Sequence, residues 1–159
     1  IGKRSVMQAA QNTFISSTFW TERIGPTAAL KVIEIMEREK SWEKVTKLGG
    51  YLKQGWQRLA NLNDLKIDTM GLESLASFAF KSNNHLKYKT LISQEMLKYG
   101  YLGSTIFYPS TKHKIKVLDK YLELLNGVFE KISLCEKGIE SIDNLLEGNV
   151  CHDGFKRLN

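Results

Sequence analysis

Apolar residues recur with a helical period over most of this chain and alternate with a period of two in one short central stretch. From Pro26 onward, Ala29, Val32, Ile33 and Met36 fall on one helical face. A proline at the first helical position sacrifices no hydrogen bond, so the pattern predicts a helix over 25–40. Ser41 is a residue type that caps a following helix. That helix has Val45, Leu48, Leu52 and Leu59 as its stripe, with Trp56 beside them. Gly49-Gly50 interrupts the stripe, and each glycine costs about 1 kcal/mol against alanine, so the pair points to close approach of another backbone. Ahead of these elements, Val6–Ala10 fits a short helical turn and 12–21 reads as loop.

After the turn residues of 61–64 the period changes. Leu65, Ile67 and Thr69 alternate, and so do Ala76, Phe78 and Phe80, with Gly71-Leu72-Glu73-Ser74 between them. This predicts a hairpin. Tyr88, Ile92, Met96 and Tyr99 then lie on one face of a third helix, which Gly100 is placed to end. Residues 101–108 are apolar and broken by glycine, as in a third short strand. Pro109-Ser110-Thr111 opens the longest predicted helix, with the stripe Ile115, Leu118, Leu122, Leu125, Phe129 and Ile132. Ile139, Ile142, Leu145 and Leu146 suggest one more. The order predicts an α+β fold, a small, mostly antiparallel sheet covered by helices.

Composition narrows the function classes only a little. The chain has 159 residues, 42% hydrophobic and 25% charged, which suits one globular domain. No apolar run approaches the length of a membrane span, and no signal-peptide stretch opens the chain. The net charge of +6 permits an anionic partner, but the lysines are scattered along helical patterns. A stand-alone basic module that binds nucleic acid or an acidic protein is the alternative reading. The two cysteines, Cys135 and Cys151, fit free thiols in a reducing cytoplasm. His85, His113 and His152 have no metal-like spacing. There is no nucleophile elbow, phosphate loop or dinucleotide fingerprint.

One stretch carries more. "IGKRSVM" followed by "ISSTFWTERIGPTAALKVIEIMEREK" resembles class III pyridoxal-phosphate aminotransferases, including members related to glutamate-1-semialdehyde aminotransferase, an aminomutase. "QEMLKYGYL" and "IFYPSTKH" resemble the C-terminal domain of that family. The resemblance implies the C-terminal part of a fold-type I enzyme. Residues 1–24 would end the large-domain segment, 25–40 would be a connector helix, and 41–159 the small domain. The cofactor lysine would lie ahead of Ile1, leaving no catalytic residue in this chain; Lys3 reads as an exposed basic residue. It further implies pyridoxal 5'-phosphate as cofactor and a cytoplasmic homodimer acting on a small amino acid, amine or keto substrate, by transfer or 1,2-migration. No membrane is implied, and nucleic acid is not the expected partner. In the family a threonine crosses the dimer to the cofactor phosphate. Thr18 matches it, with Ser17 before it. The gap to the helix proline is longer here, which leaves Thr21 as a second candidate. Trp20, Glu22 and Arg23 would then line the substrate entrance, with core packing the alternative for Trp20. The carboxylate-binding arginine of some relatives has no counterpart in "FYPSTKH".

Overall fold

The computed structural model describes residues 2–13, 22–152 and 154. They divide into two units, Ile1–Glu39 and Lys40–Asn159.

In the first unit, helix α1 spans Arg4–Met7 and runs into a 3-10 turn, Gln8–Asn12. The amides of Val6 and Met7 both donate to the Lys3 carbonyl, and Lys3 is exposed. Helix α2 spans Ile24–Glu39, so Pro26 is its third residue rather than its first. Proline still sits within the first turn, where backbone N–H groups have no partner inside the helix. No residue of α2 is buried.

The second unit holds the core. Helix α3 spans Ser41–Leu62. Ser41 is not its cap. Lys40 holds that position in the left-handed region (φ 48°), and its carbonyl accepts from the Glu43 amide at 3.0 Å. Strands β1 (Ile67–Met70) and β2 (Ala76–Phe80) form the expected antiparallel hairpin, with Ile67 opposite Phe80 and Thr69 opposite Phe78. Its connection includes a 3-10 turn, Glu73–Leu75, which presses on α3 at Gly49. A Cβ at Gly49 would stand 1.7 Å from the Glu73 carbonyl oxygen. The glycine pair therefore does mark a backbone contact.

Helix α4 spans His85–Lys98, and Gly100 ends it with φ 78°. Tyr99 lies beyond the last turn and is exposed, not on the buried face. Strand β3 is only Ile106–Phe107, paired antiparallel with β2, so the sheet order is β1-β2-β3. Most of 101–108 is thus loop. Helix α5 spans Ile115–Glu136 and matches α3 in length. It begins later than Pro109 because Ser110 and His113 tie 110–113 into a turn and Lys114 is extended. Ile115 is consequently half exposed to solvent, while Leu118, Leu122, Leu125, Phe129 and Ile132 are buried. The last helix, α6, is one turn, Ile142–Leu145, and leaves Ile139 exposed outside it.

Phe78 is at the centre of the core, 4.7 Å from the Trp56 ring and 5.9 Å from Phe129. Phe80 joins Phe129 and Tyr88 at 5.5 and 5.4 Å. Offset and tilted ring pairs at these separations add to simple burial. Two buried phenols keep partners. Tyr121 receives the Trp56 indole N–H at 3.4 Å, and Tyr88 donates to Glu136 at 2.6 Å. Burial pushes both phenols up to about 12, and at Tyr88 the Glu136 hydrogen bond adds to it.

The chain after α6 is fastened back onto α4. The Gln94 amide nitrogen donates to the Leu145 carbonyl at 2.9 Å, and its oxygen accepts from the Glu147 amide at 2.8 Å. Thr90 Oγ1 accepts from the Cys151 amide at 3.0 Å, and Lys98 pairs with Glu147 at 2.6 Å.

Candidate functional site

Ser17, Thr18 and Thr21, the residues expected to reach a cofactor phosphate, lie outside the described residues, as does Trp20. The chain just after them is described. The Gly25 amide donates to both carboxylate oxygens of Glu22, each at 3.0 Å. A carboxylate is favoured there, where the helix end presents unsatisfied N–H groups and positive potential. Glu22, expected at a substrate entrance, is therefore engaged in starting α2. Arg23 is exposed, and its carbonyl accepts from the Thr27 amide at 3.0 Å.

Within the second unit, the segment from Tyr101 to His113 frames a cleft of about 210 Å³ against α3 and α5. Its walls include Leu52, Tyr101, Phe107, Val117 and Tyr121, with His113 as a polar member. The Tyr101 and Tyr121 rings are 5.9 Å apart, and the His113 ring lies 5.1 Å from Phe107. His113 is oriented by its own turn: the Ser110 amide donates to Nδ1 at 2.9 Å. A neutral ring that accepts at Nδ1 carries its proton on Nε2.

The other histidines do not converge on it. His85 has its Nδ1 3.2 Å from the Ser82 carbonyl, at the start of α4, and His152 is exposed. Among the described residues no three His, Cys, Asp or Glu side chains are grouped to hold a metal ion. Both cysteines are free and half-buried. Burial, with Glu140 and Glu136 nearby, pushes the Cys135 thiol up and makes it a poorer nucleophile.

One charged group has almost no signature in the sequence pattern. Glu95 is buried on α4 and accepts from Lys98, Lys131 and Gln94. Burial alone would raise its carboxyl; the hydrogen bonds from Lys131 and Lys98 outweigh that and hold it at about 2. The only trace in the sequence is the spacing of Glu95 and Lys98, three residues apart. Lys131 comes from α5 and is brought in by the tertiary fold. The arrangement joins two helices and leaves no free base.

No family model matches the chain. It is 29% identical over 92 residues to the 3-aminobutyryl-CoA aminotransferase of Cloacimonas acidaminovorans (strain Evry), a match over 57% of this chain and 22% of that protein. Its fold is that of part of the Sphingopyxis sp. MTA144 FumI protein, solved in its PLP internal aldimine form: the TM-score is 0.75 at 17% identity, over 92% of this chain and 36% of that one. The chain resembles part of an aminotransferase. Its three-stranded antiparallel sheet and covering helices are the α+β arrangement expected of a pyridoxal-phosphate enzyme's C-terminal domain. This aminotransferase-like chain spans about a third of the solved relative and about a fifth of the curated one. Among the described residues no helix is long and apolar enough to cross a membrane.

Proposed function

We propose that this chain is the C-terminal part of a class III pyridoxal-phosphate aminotransferase or aminomutase that acts as a cytoplasmic homodimer. The fold match over 92% of the chain carries this reading, and the aminotransferase relative supports it. Both favour an enzyme over a basic interaction module. Residues 1–24 then hold the end of the large domain and the phosphate loop, 25–40 the connector, and 41–159 the small domain.

When bound, pyridoxal phosphate supplies an electron sink for moving an amino group to or from a small amino acid, amine or keto compound. The part assigned to this chain is to bind it. The donor set suits a phosphate: Ser17, Thr18 and Thr21 offer hydroxyls, and no carboxylate interrupts 15–21. Thr18 would donate to a phosphate oxygen of the neighbouring subunit's cofactor, with Ser17 and Thr21 as further candidate donors. The lysine that bonds the cofactor precedes Ile1, so residues 1–159 alone are inactive.

Two measurements test this. In the full-length protein, Thr18→Val weakens pyridoxal-phosphate binding about tenfold and Thr18→Ser leaves it near normal, as expected for one charge-assisted hydrogen bond. Equal affinity in the valine variant removes Thr18 from the site. Residues 1–159 alone, treated with pyridoxal phosphate and then borohydride, carry no specific, stoichiometric pyridoxyl group on any one lysine. A specific, stoichiometric adduct on one of their lysines would overturn the assignment.

A further inference from the structure

The cleft beside His113 lies wholly in the second unit and is built from Tyr101, Phe107, Val117, Leu118, Tyr121 and His113 itself. We propose that it is a binding site for a small single-ring molecule bearing a carbonyl or similar hydrogen-bond acceptor. This is independent of the proposed cofactor role.

Three observations point to that ligand. The volume, about 210 Å³, exceeds the roughly 150 Å³ that holds benzene in a dry apolar cavity, so one ring with a short substituent fits. Three aromatic side chains, Tyr101, Phe107 and Tyr121, stand in the walls, and a flat ring can meet them edge-on or offset. The polar feature is specific. The Ser110 amide occupies His113 Nδ1, so the neutral ring offers its Nε2–H, which has no protein partner among the described residues. Ser104 is a second polar lining residue; a mostly apolar cleft with one donor held in place by its own turn still selects an apolar body with an acceptor. A charged ligand is disfavoured, because no cationic or anionic side chain lines the cleft to offset its desolvation.

Acetophenone and ethylbenzene serve as matched probes, with and without the acceptor. Titrated into the full-length protein and followed by aromatic-carbon NMR, both should shift Tyr101, Phe107 and Tyr121 saturably. Acetophenone should bind about fivefold tighter, the scale of one neutral hydrogen bond. His113→Asn keeps an acceptor for the Ser110 amide but lacks Nε2–H, and should bring acetophenone down to the level of ethylbenzene. Val117→Phe enlarges a partly exposed wall residue and should abolish both titrations while leaving the folded spectrum intact. Absence of saturable shifts in the parent protein overturns the site. Equal affinity for the two probes, or a preference that survives His113→Asn, overturns the donor role and with it the ligand class.

Discussion

Helix α2 buries none of its 16 residues, whereas α3 buries seven of its 22. Both carry apolar side chains at helical spacing. In α2 Leu30, Val32, Ile33 and Met36 remain exposed; in α3 Leu48, Leu52, Trp56 and Leu59 are covered by the sheet and by α5. The difference shows that periodicity encodes where a helix forms and which face is apolar, but not what covers that face. Coverage comes from non-local partners. For α3 they are the hairpin turn at Gly49 and the aromatic cluster around Phe78.

The sharpest way to break this contrast is at Gly49. Gly49→Val puts side-chain carbon where the Glu73 carbonyl stands and should cost more than about 4 kcal/mol, ending cooperative folding of 40–159. Urea denaturation followed by near-ultraviolet circular dichroism measures it, and an unchanged midpoint would refute the contact. A smaller effect is expected from Leu52→Ala, about 3 kcal/mol for a fully buried leucine. The same change at Leu30 on α2 should stay within about 0.5 kcal/mol. Equal losses at the two sites would erase the distinction between the helices.

Charge repeats the comparison on a smaller scale. Lys31 and Glu34 on α2 form an ion pair at 2.8 Å with both side chains 59% exposed. Glu95 on α4 is buried between Lys98 and Lys131. Glu95→Gln should cost about 2 kcal/mol at neutral pH, and Glu34→Gln less than about 0.5 kcal/mol. The pH profile fixes the cause. Glu95 is held at about 2 in the folded chain against an ordinary 4.5, so its stabilising contribution is complete above 4.5 and is lost as pH falls towards 2. Denaturation midpoints of the parent and Glu95→Gln should therefore converge over that window. A constant gap between pH 5 and 2 would mean the carboxylate charge is not what matters.

Local chemistry made much of the fold legible. The period change at Leu65, the turn glycine at Gly71 and the stop at Gly100 each act within a few residues. The departures arose where short-range geometry, of a side chain or of the backbone, overrode the pattern. Ser110 and His113 hold each other and delay α5, and Lys40 takes a left-handed conformation that displaces Ser41 as cap. Glu95 was invisible because Lys131 is distant in the chain. The proposed phosphate loop rests on resemblance. Its hydroxyls alone do not distinguish a ligand from a loop that satisfies its own backbone.

Gln94 holds the tail in a different manner from every ion pair above. Of its two N–H groups one goes to Glu95 and the other to the Leu145 carbonyl at the end of α6, while its oxygen accepts from the Glu147 amide. It reads the path of the tail and not its side chains. Leu145 and Leu146 are constrained separately, by packing against the core, whereas what the main chain requires of position 94 is a primary amide. Isosteric Gln94→Glu keeps an acceptor for the Glu147 amide but loses the donors to Leu145 and Glu95 and sets a second carboxylate beside Glu95.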